Sequence, residues 1–261
     1  MYFEIYCHPY RANFILQEWY KFIKGINNVI RNWFYIRYND PSAHLRIRLQ
    51  LKNTDCINEI LKSVKQLVKP LLLNSYIQDF CLKTYFRETL RYQAAPIDWV
   101  EQFFNDDSQY CLALLNSEPT NDQLYRATLN YTDALLNIYS ENRNKQLAFI
   151  RSMAEKFASE MKFSSQKFKR INYIYKKIDA LPDYKINGSA KNSLKIVKRQ
   201  FKRILSHCVT QDERENMVAD LLHLHINRLF IQQQRMHETI IYQLLLNTTK
   251  KKQVLEGALV E

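Results

Sequence analysis

Apolar and polar residues change rhythm once along this chain. Up to about residue 95 the pattern switches between a period of two and a period of three to four. Residues 44–51, HLRIRLQL, alternate strictly. Successive side chains of an extended strand point to opposite sides, so Leu45, Ile47, Leu49 and Leu51 share one face and His44, Arg46 and Arg48 the other. Residues 2–7 (YFEIYC), 33–38 (WFYIRY) and 77–86 (IQDFCLKTYF) read as three further strands rich in aromatic and β-branched residues. Over 11–26, Phe14, Ile15, Trp19, Phe22, Ile23 and Ile26 fall on one stripe of a helix. A second helix is predicted over 55–69, with Asp55 as its N-cap and Glu59 close behind. The cluster Asn39-Asp40-Pro41-Ser42 marks a turn that joins the second and third strands as an antiparallel hairpin. The order β-α-β-β-α-β is that of a ferredoxin-like split βαβ unit.

After Pro96 the helical period takes over. Helices are predicted over 97–116, 121–141, 144–178, 190–208 and 211–247, with breaks near Glu118-Pro119-Thr120 and between Leu181 and Ser189. The fold class is therefore α+β, a ferredoxin-like βαββαβ N-terminal half followed by a mainly helical C-terminal half. The division falls into residues 1–95, with the arginine-rich strand, and residues 96–261, expected to pack as one unit.

Composition sharpens this in a few places. With 46% hydrophobic residues over 261 positions, the chain can bury a large core. No apolar run approaches the ~18 residues that a membrane-spanning helix needs, and MYFEIYCHPY lacks the basic-then-apolar shape of a signal peptide. A soluble, cytoplasmic protein is expected. The five cysteines are scattered without a CxxC pair, so free thiols are expected and neither a metal nor a cofactor is predicted. The net charge of +12 gives affinity for a polyanion or an acidic partner. Much of it lies in KFKR (167–170), Lys176-Lys177 and KIVKRQFKR (195–203), a surface suited to a solvated helix face or to contact with RNA.

Three patterns could carry chemistry. His44, Arg46 and Arg48 share a strand face, and Arg37 on the partner strand is expected to join them. Two guanidiniums about 7 Å apart along a strand can grip a carboxylate through paired charge-assisted hydrogen bonds. In TYFRETLRY (84–92), Glu88 and Arg91 stand three apart and share a face if a helix begins there. In LLHLHINRLF (221–230), His223 and Asn227 are neighbours on a helix, followed by Arg228.

These segments together resemble the C-terminal domain of class I lantibiotic dehydratases, a family that includes stand-alone thiopeptide-type bacteriocin biosynthesis proteins. The resemblance rests on Arg37, Tyr38, Asp40, Pro41, His44, Leu45, Arg46 and Arg48, then on Thr84, Tyr85, Glu88, Arg91 and Tyr92. Glu101, Phe104, Asp107 and Ser108 follow, and finally His223, Asn227 and Arg228. Lys83 stands where the family carries aspartate, and Gln93-Ala94 where it carries glycine. The resemblance implies a lyase that eliminates glutamate from glutamylated Ser or Thr of a ribosomal precursor peptide, leaving dehydroalanine or dehydrobutyrine.

It implies Arg46, Arg48, Glu88, Arg91 and His223 as catalytic residues, meeting in one cavity, with His223 the first choice for proton transfer. Arg37, His44, Tyr85, Asn227 and Arg228 are the implied substrate-binding residues. The implied partners are a separately encoded glutamyl-tRNA-dependent glutamylation protein and a precursor peptide with its leader, with weak tRNA contact through the basic helices. A thiopeptide-type [4+2] cycloaddition enzyme, a peptide aminoacyl-tRNA ligase and a non-catalytic scaffold subunit stand as alternatives.

Overall fold

The structure is a computed structural model describing residues 1–182 and 186–257. Four strands, β1 (Tyr2–Tyr6), β2 (Ile30–Tyr38), β3 (His44–Leu51) and β4 (Asp79–Lys83), alternate with α1 (Ala12–Gly25) and α2 (Ile57–Leu73) in the βαββαβ order read from the sequence. The sheet runs β2-β3-β1-β4 with every neighbouring pair antiparallel. Placing β3 between β1 and β2 is what the split βαβ unit requires. The period-two pattern sorts the two faces. Phe3, Ile5, Trp33, Tyr35, Leu45 and Ile47 are buried, and Phe80 stacks on Trp19 of α1 while Phe3 packs tilted against it. Cross-strand register gathers Tyr2, Glu4 and Tyr6 with Phe34, Ile36 and Tyr38 and with His44, Arg46 and Arg48 on the opposite face.

That register corrects one expectation. Arg37 pairs with Leu45, not with His44. It therefore lies on the helix-covered face and does not join Arg46 and Arg48.

The helical half contains α3 (Ile97–Leu115), α4 (Asn121–Tyr139), α5 (Arg143–Glu160), α6 (Ser165–Asp179), α7 (Gly188–Leu205), α8 (Gln211–Leu229) and α9 (Gln234–Gly257). One continuous apolar core runs from the sheet through α3 into these helices. Helix α3 is buried on nearly every side, because it packs on β2 as well as on α7 and α8.

Two predicted helices are each two. The span 144–178 breaks after Met161, where Lys162 turns left-handed at φ 47° and the Ser164 hydroxyl accepts from the Lys167 amide to cap α6. The span 211–247 breaks at 230–233: Phe230 is extended and packs on the rings of Tyr125 and His237. Helix α2 begins after Cys56, and Asp55 does not cap it. Strand β4 ends at Lys83, and residues 84–95 form an irregular connection.

The two margins of the sheet differ. Along β2, helix side chains replace a neighbouring strand. Asn105 and Ser108 accept from the amides of Trp33 and Tyr35, both at 3.3 Å. Arg228 Nε donates to Tyr35 O at 3.0 Å. The Asn227 carboxamide takes both polar groups of the Arg37 main chain, accepting from its N–H and donating to its C=O at 2.8 Å each. Among the described residues, β4 has no strand on its outer side. Asn227→Ala strands two main-chain groups at about 1 kcal/mol per hydrogen bond; a loss near 2 kcal/mol is expected in urea denaturation.

Candidate active site

A buried ionic knot joins α3, α4 and α8. Asp107, fully buried, accepts from Arg228 NH1 at 2.8 Å, from His225 Nδ1 at 2.7 Å and from the Tyr131 hydroxyl at 2.7 Å. Tyr131 lies flat on the His225 ring, centroids 3.6 Å apart. Burial by itself would raise the Asp107 carboxyl; the charges and hydrogen bonds of His225, Arg228 and Tyr131 outweigh it and hold it below its ordinary value. Donor atoms of Asp107, Cys111 and His225 lie within metal-ligand reach of one another. The guanidinium of Arg228 already holds the carboxylate, which disfavours a second cation there. Arg228, implied as substrate-binding, is thus wholly enclosed, and with Asn227 it fastens α8 to the edge of β2.

The polar face of the sheet carries a second network, centred on Glu4. The hydroxyls of Tyr2 and Tyr6 donate to its carboxylate at 2.5 and 3.1 Å. Lys83 approaches at 2.8 Å and Arg46 at 3.5 Å. Burial opposes ionisation, but hydrogen bonds from Lys83, Tyr2 and Tyr6 prevail and bring the carboxyl down to about 2. Arg46 also lies on the Tyr38 ring and donates to His44 Nε2 at 3.0 Å. With its Nδ1 facing Ser42 O at 2.7 Å, His44 is fixed as the neutral tautomer that carries its proton on Nδ1. Burial lowers its basicity further.

Arg48 is in a different condition. It is 9% exposed, and among the described residues it makes no ion pair. Its guanidinium rests against the rings of Tyr85, Tyr2 and Phe34, at 4.4, 5.3 and 5.3 Å, and its Nε has no acceptor. It lines a cleft of about 580 Å³, together with Lys83, Tyr85, Arg87 and Glu101. Glu101 is already engaged, by Arg87 through two hydrogen bonds of 3.1 and 2.7 Å and by the Tyr85 hydroxyl at 2.8 Å. A nearly buried cation without a counter-charge favours an arriving anion.

Glu88, Arg91 and His223 gather elsewhere. Arg91 grips Asp220 with two hydrogen bonds of 2.9 and 2.6 Å and touches Glu88 at 3.3 Å. One turn along α8 from Asp220, His223 Nδ1 meets the buried carboxylate of Glu238 at 3.0 Å. Arg91 and His223 line a cleft of about 430 Å³. It shares no lining residue with the cleft of Arg48. A chain of contacts links Arg48 to Arg91 through the rings of Phe34, Phe104 and Tyr92. Arg48 of β3 and His223 of α8 thus line different clefts, Arg46 lines neither, and Tyr85 of the intervening connection feels the charges of both Arg48 and Glu88. The connection 84–95 leads from one to the other, giving Tyr85 and Arg87 to the first and Arg91 to the second.

Several polar residues of these networks were not singled out as candidates in the sequence: Glu4, Lys83, Arg87, Asp220 and Glu238. Glu4 was within reach of the pattern, being an acid flanked at i±2 by tyrosines on an otherwise apolar strand. Asp220 and Glu238 were not, since they matter only because α8 meets residue 91 and α9 folds back on α8.

A four-stranded split βαβ sheet with a cationic polar face, locked along one margin to a helical bundle, defines an α+β domain suited to handling an anionic group. The comparisons give the class its name. The model of the lantibiotic biosynthesis dehydratase C-terminal family matches residues 1–249, and the chain belongs to that family. It is similar to the epidermin biosynthesis protein EpiB of Staphylococcus epidermidis, 24% identical over 85% of this chain and 23% of EpiB. It is similar as well to the nisin biosynthesis protein NisB of Lactococcus lactis subsp. lactis, 25% identical over 93% of this chain and 24% of NisB. The chain thus spans about a quarter of the length of these relatives.

Among solved structures, the fold matches the tRNA-dependent lantibiotic dehydratase MibB of Microbispora sp. 107891 with a TM-score of 0.75 at 15% identity, over 98% of this chain and 28% of that one. It also matches TbtD, the pyridine synthase from thiomuracin biosynthesis, with a TM-score of 0.66 at 11% identity, over 96% and 97% of the two chains.

Proposed function

We propose that this chain is a lyase that removes glutamate from glutamylated Ser or Thr of a ribosomal precursor peptide. The observation that carries this reading is Arg48, a nearly buried guanidinium with no carboxylate of its own, facing a cleft large enough for a glutamyl group. Membership of a dehydratase family and the position of Arg48 within the residues of the resemblance support it.

In the elimination, a base takes the Cα proton of the esterified residue, the Cα–Cβ double bond forms and the Cβ–O bond breaks, so that glutamate leaves with the electron pair as a carboxylate. Arg48 holds the glutamyl carboxylate and the charge that develops on departure. Arg46, already neutralised by Glu4, shapes the face beside it. His223 is the proposed base: its Nδ1–H donated to Glu238 leaves Nε2 to receive a proton. Arg91, oriented by Asp220 and Glu88, stabilises the enolate-like oxygen. The Cα proton and the departing oxygen sit on adjacent carbons, so the elimination requires the Arg48 and His223 clefts to open into one over the connection 84–95, where Tyr85 feels the charges of both Arg48 and Glu88. A separate glutamylation protein supplies the substrate, and the basic exposed faces of α6 and α7 offer it, or its tRNA, a contact.

The test is a purified glutamylated peptide offered to the protein and followed by mass spectrometry. Loss of glutamate with formation of the dehydroamino acid is expected. His223→Ala should leave the glutamyl adducts in place, with a rate loss of about 100-fold or more, as for a general base. Full dehydration by that variant would remove His223 from the mechanism.

A further inference from the structure

A third cleft, of about 600 Å³, opens where the start of α1 meets the α3–α4 and α8–α9 junctions. Its chemistry is unlike that of the other two. In a chain with 38 lysines and arginines, none lines it. Its polar lining includes the carboxamides of Asn13, Gln17, Gln232 and Gln233 and one carboxylate, Glu118, beside the exposed rings of Tyr10 and Phe14. A surface without cations does not suit a polyanion. Carboxamides beside exposed rings suit a chain that offers amide groups of its own, and Glu118 disfavours acidic side chains on it.

Two details give the cleft a direction. Arg37 lies behind its wall, 3% exposed and, among the described residues, without a carboxylate partner. Its NH2 donates to Asn13 Oδ1 at 2.6 Å, its Nε donates to Arg228 O at 2.9 Å, and its NH1 has no acceptor. A guanidinium can only donate, so this contact fixes the Asn13 amide with its oxygen inward. The amino group of Asn13 is then left as a donor strengthened by the cation behind it. On the other rim, Gln233 has φ 52°. Unlike the left-handed residues that follow the C-termini of α2, α3 and α5, Gln233 stands ahead of a helix, where helix termination does not account for it. Non-glycine residues held in this region cluster at ligand clamps. The molecule already shows how a carboxamide holds main chain: Asn227 takes both the N–H and the C=O of Arg37.

We propose that this cleft binds an uncharged, extended segment of the peptide substrate, apart from the residue undergoing elimination. Asn13 donates to a main-chain carbonyl, Gln232 and Gln233 exchange hydrogen bonds with the next amides, and an apolar side chain rests against the exposed rings of Tyr10 and Phe14. The proposal rests on the reading that the chain acts on a peptide. It adds that affinity for that peptide comes from a groove without lysine or arginine, separate from the cationic clefts.

The test uses the full chain, labelled with ¹⁵N, and an N-acetylated, C-amidated decapeptide of Ser, Thr, Ala and Leu as the probe. Saturable shifts of the side-chain amide signals of Asn13, Gln232 and Gln233 are expected, with the guanidinium Nε–H signals of Arg48 and Arg91 unmoved. Asn13→Ala should weaken probe binding about five-fold, the value of one neutral hydrogen bond. Gln233→Gly, which relieves the left-handed backbone while removing the amide, should weaken it similarly without loss of thermal stability. Both variants should release glutamate from a blocked single glutamyl-serine at the normal rate, and show a raised KM only for long peptides. Absence of shifts at millimolar probe, shifts confined to β4 or to the Arg48 cleft, or unchanged affinity in Gln233→Gly would overturn the proposal. Failure of the protein to release glutamate from any substrate would instead count against the lyase reading, since probe binding is measured without it.

Discussion

Arg228→Ala is expected to destabilise the protein by about 3–5 kcal/mol, the cost of removing one partner of a buried ion pair. The size follows from enclosure: Arg228 and Asp107 are both 0% exposed, and nothing from solvent can replace the lost guanidinium. The same change frees Tyr35 O at the margin of β2. The double replacement Asp107→Leu with Arg228→Met should recover much of the loss, because two apolar groups leave no orphaned charge. Urea denaturation followed by circular dichroism measures both, and a loss below 1 kcal/mol in the single variant would show that the knot contributes little.

Its pH dependence has a definite sign. The folded Asp107 carboxyl lies below its unfolded value, so the associated stability is fully present above the ordinary carboxylate range. It is lost as pH falls through the folded value. Glu4 behaves alike, its stabilisation fading as pH falls from the ordinary carboxylate range towards about 2.

Arg48→Ala is expected to lower the rate of glutamate release by about 100-fold or more, the usual consequence of losing a group that stabilises developing charge. Arg48→Lys should not restore it, because an ammonium lacks the planar fork that meets a carboxylate through two bonds. Arg46→Ala should cost less, since Glu4 already balances that charge. Stability provides an independent reading. A nearly buried guanidinium with an unsatisfied Nε burdens the fold, so Arg48→Met is expected to raise Tm while rate falls. A fall in Tm of several degrees together with unchanged turnover would make Arg48 a structural residue and defeat the lyase assignment.

The sheet was legible because residues 44–51 alternate strictly, the other strands are rich in aromatic and β-branched residues and residues 11–26 carry a helical stripe, signals that survive without knowledge of neighbours. The bound of β3 agreed to the residue for that reason. Arg37 was placed on the wrong face because side depends on the hairpin register. Tyr38 faces His44 across the turn, so the residue before it falls beside Leu45. The helix breaks at Lys162 and at 230–233 carry no glycine or proline, and they arise from tertiary packing, as Phe230 on His237 shows. The motif residues were found, but their division between enclosed fasteners and cleft residues was not. His223, Asn227 and Arg228 follow one another on one helix, yet one lines a cleft, one clamps a strand edge and one is sealed inside. Sequence spacing places them on a helix without saying what each will meet.

Because side chains of α3 and α8 occupy the outer hydrogen-bonding positions of β2, the margin left open among the described residues is that of β4. Two molecules could join back to back there and go no further, since neither would present another vacant margin. Growth from the β2 margin of the native state is closed off by two asparagines, a serine and an arginine.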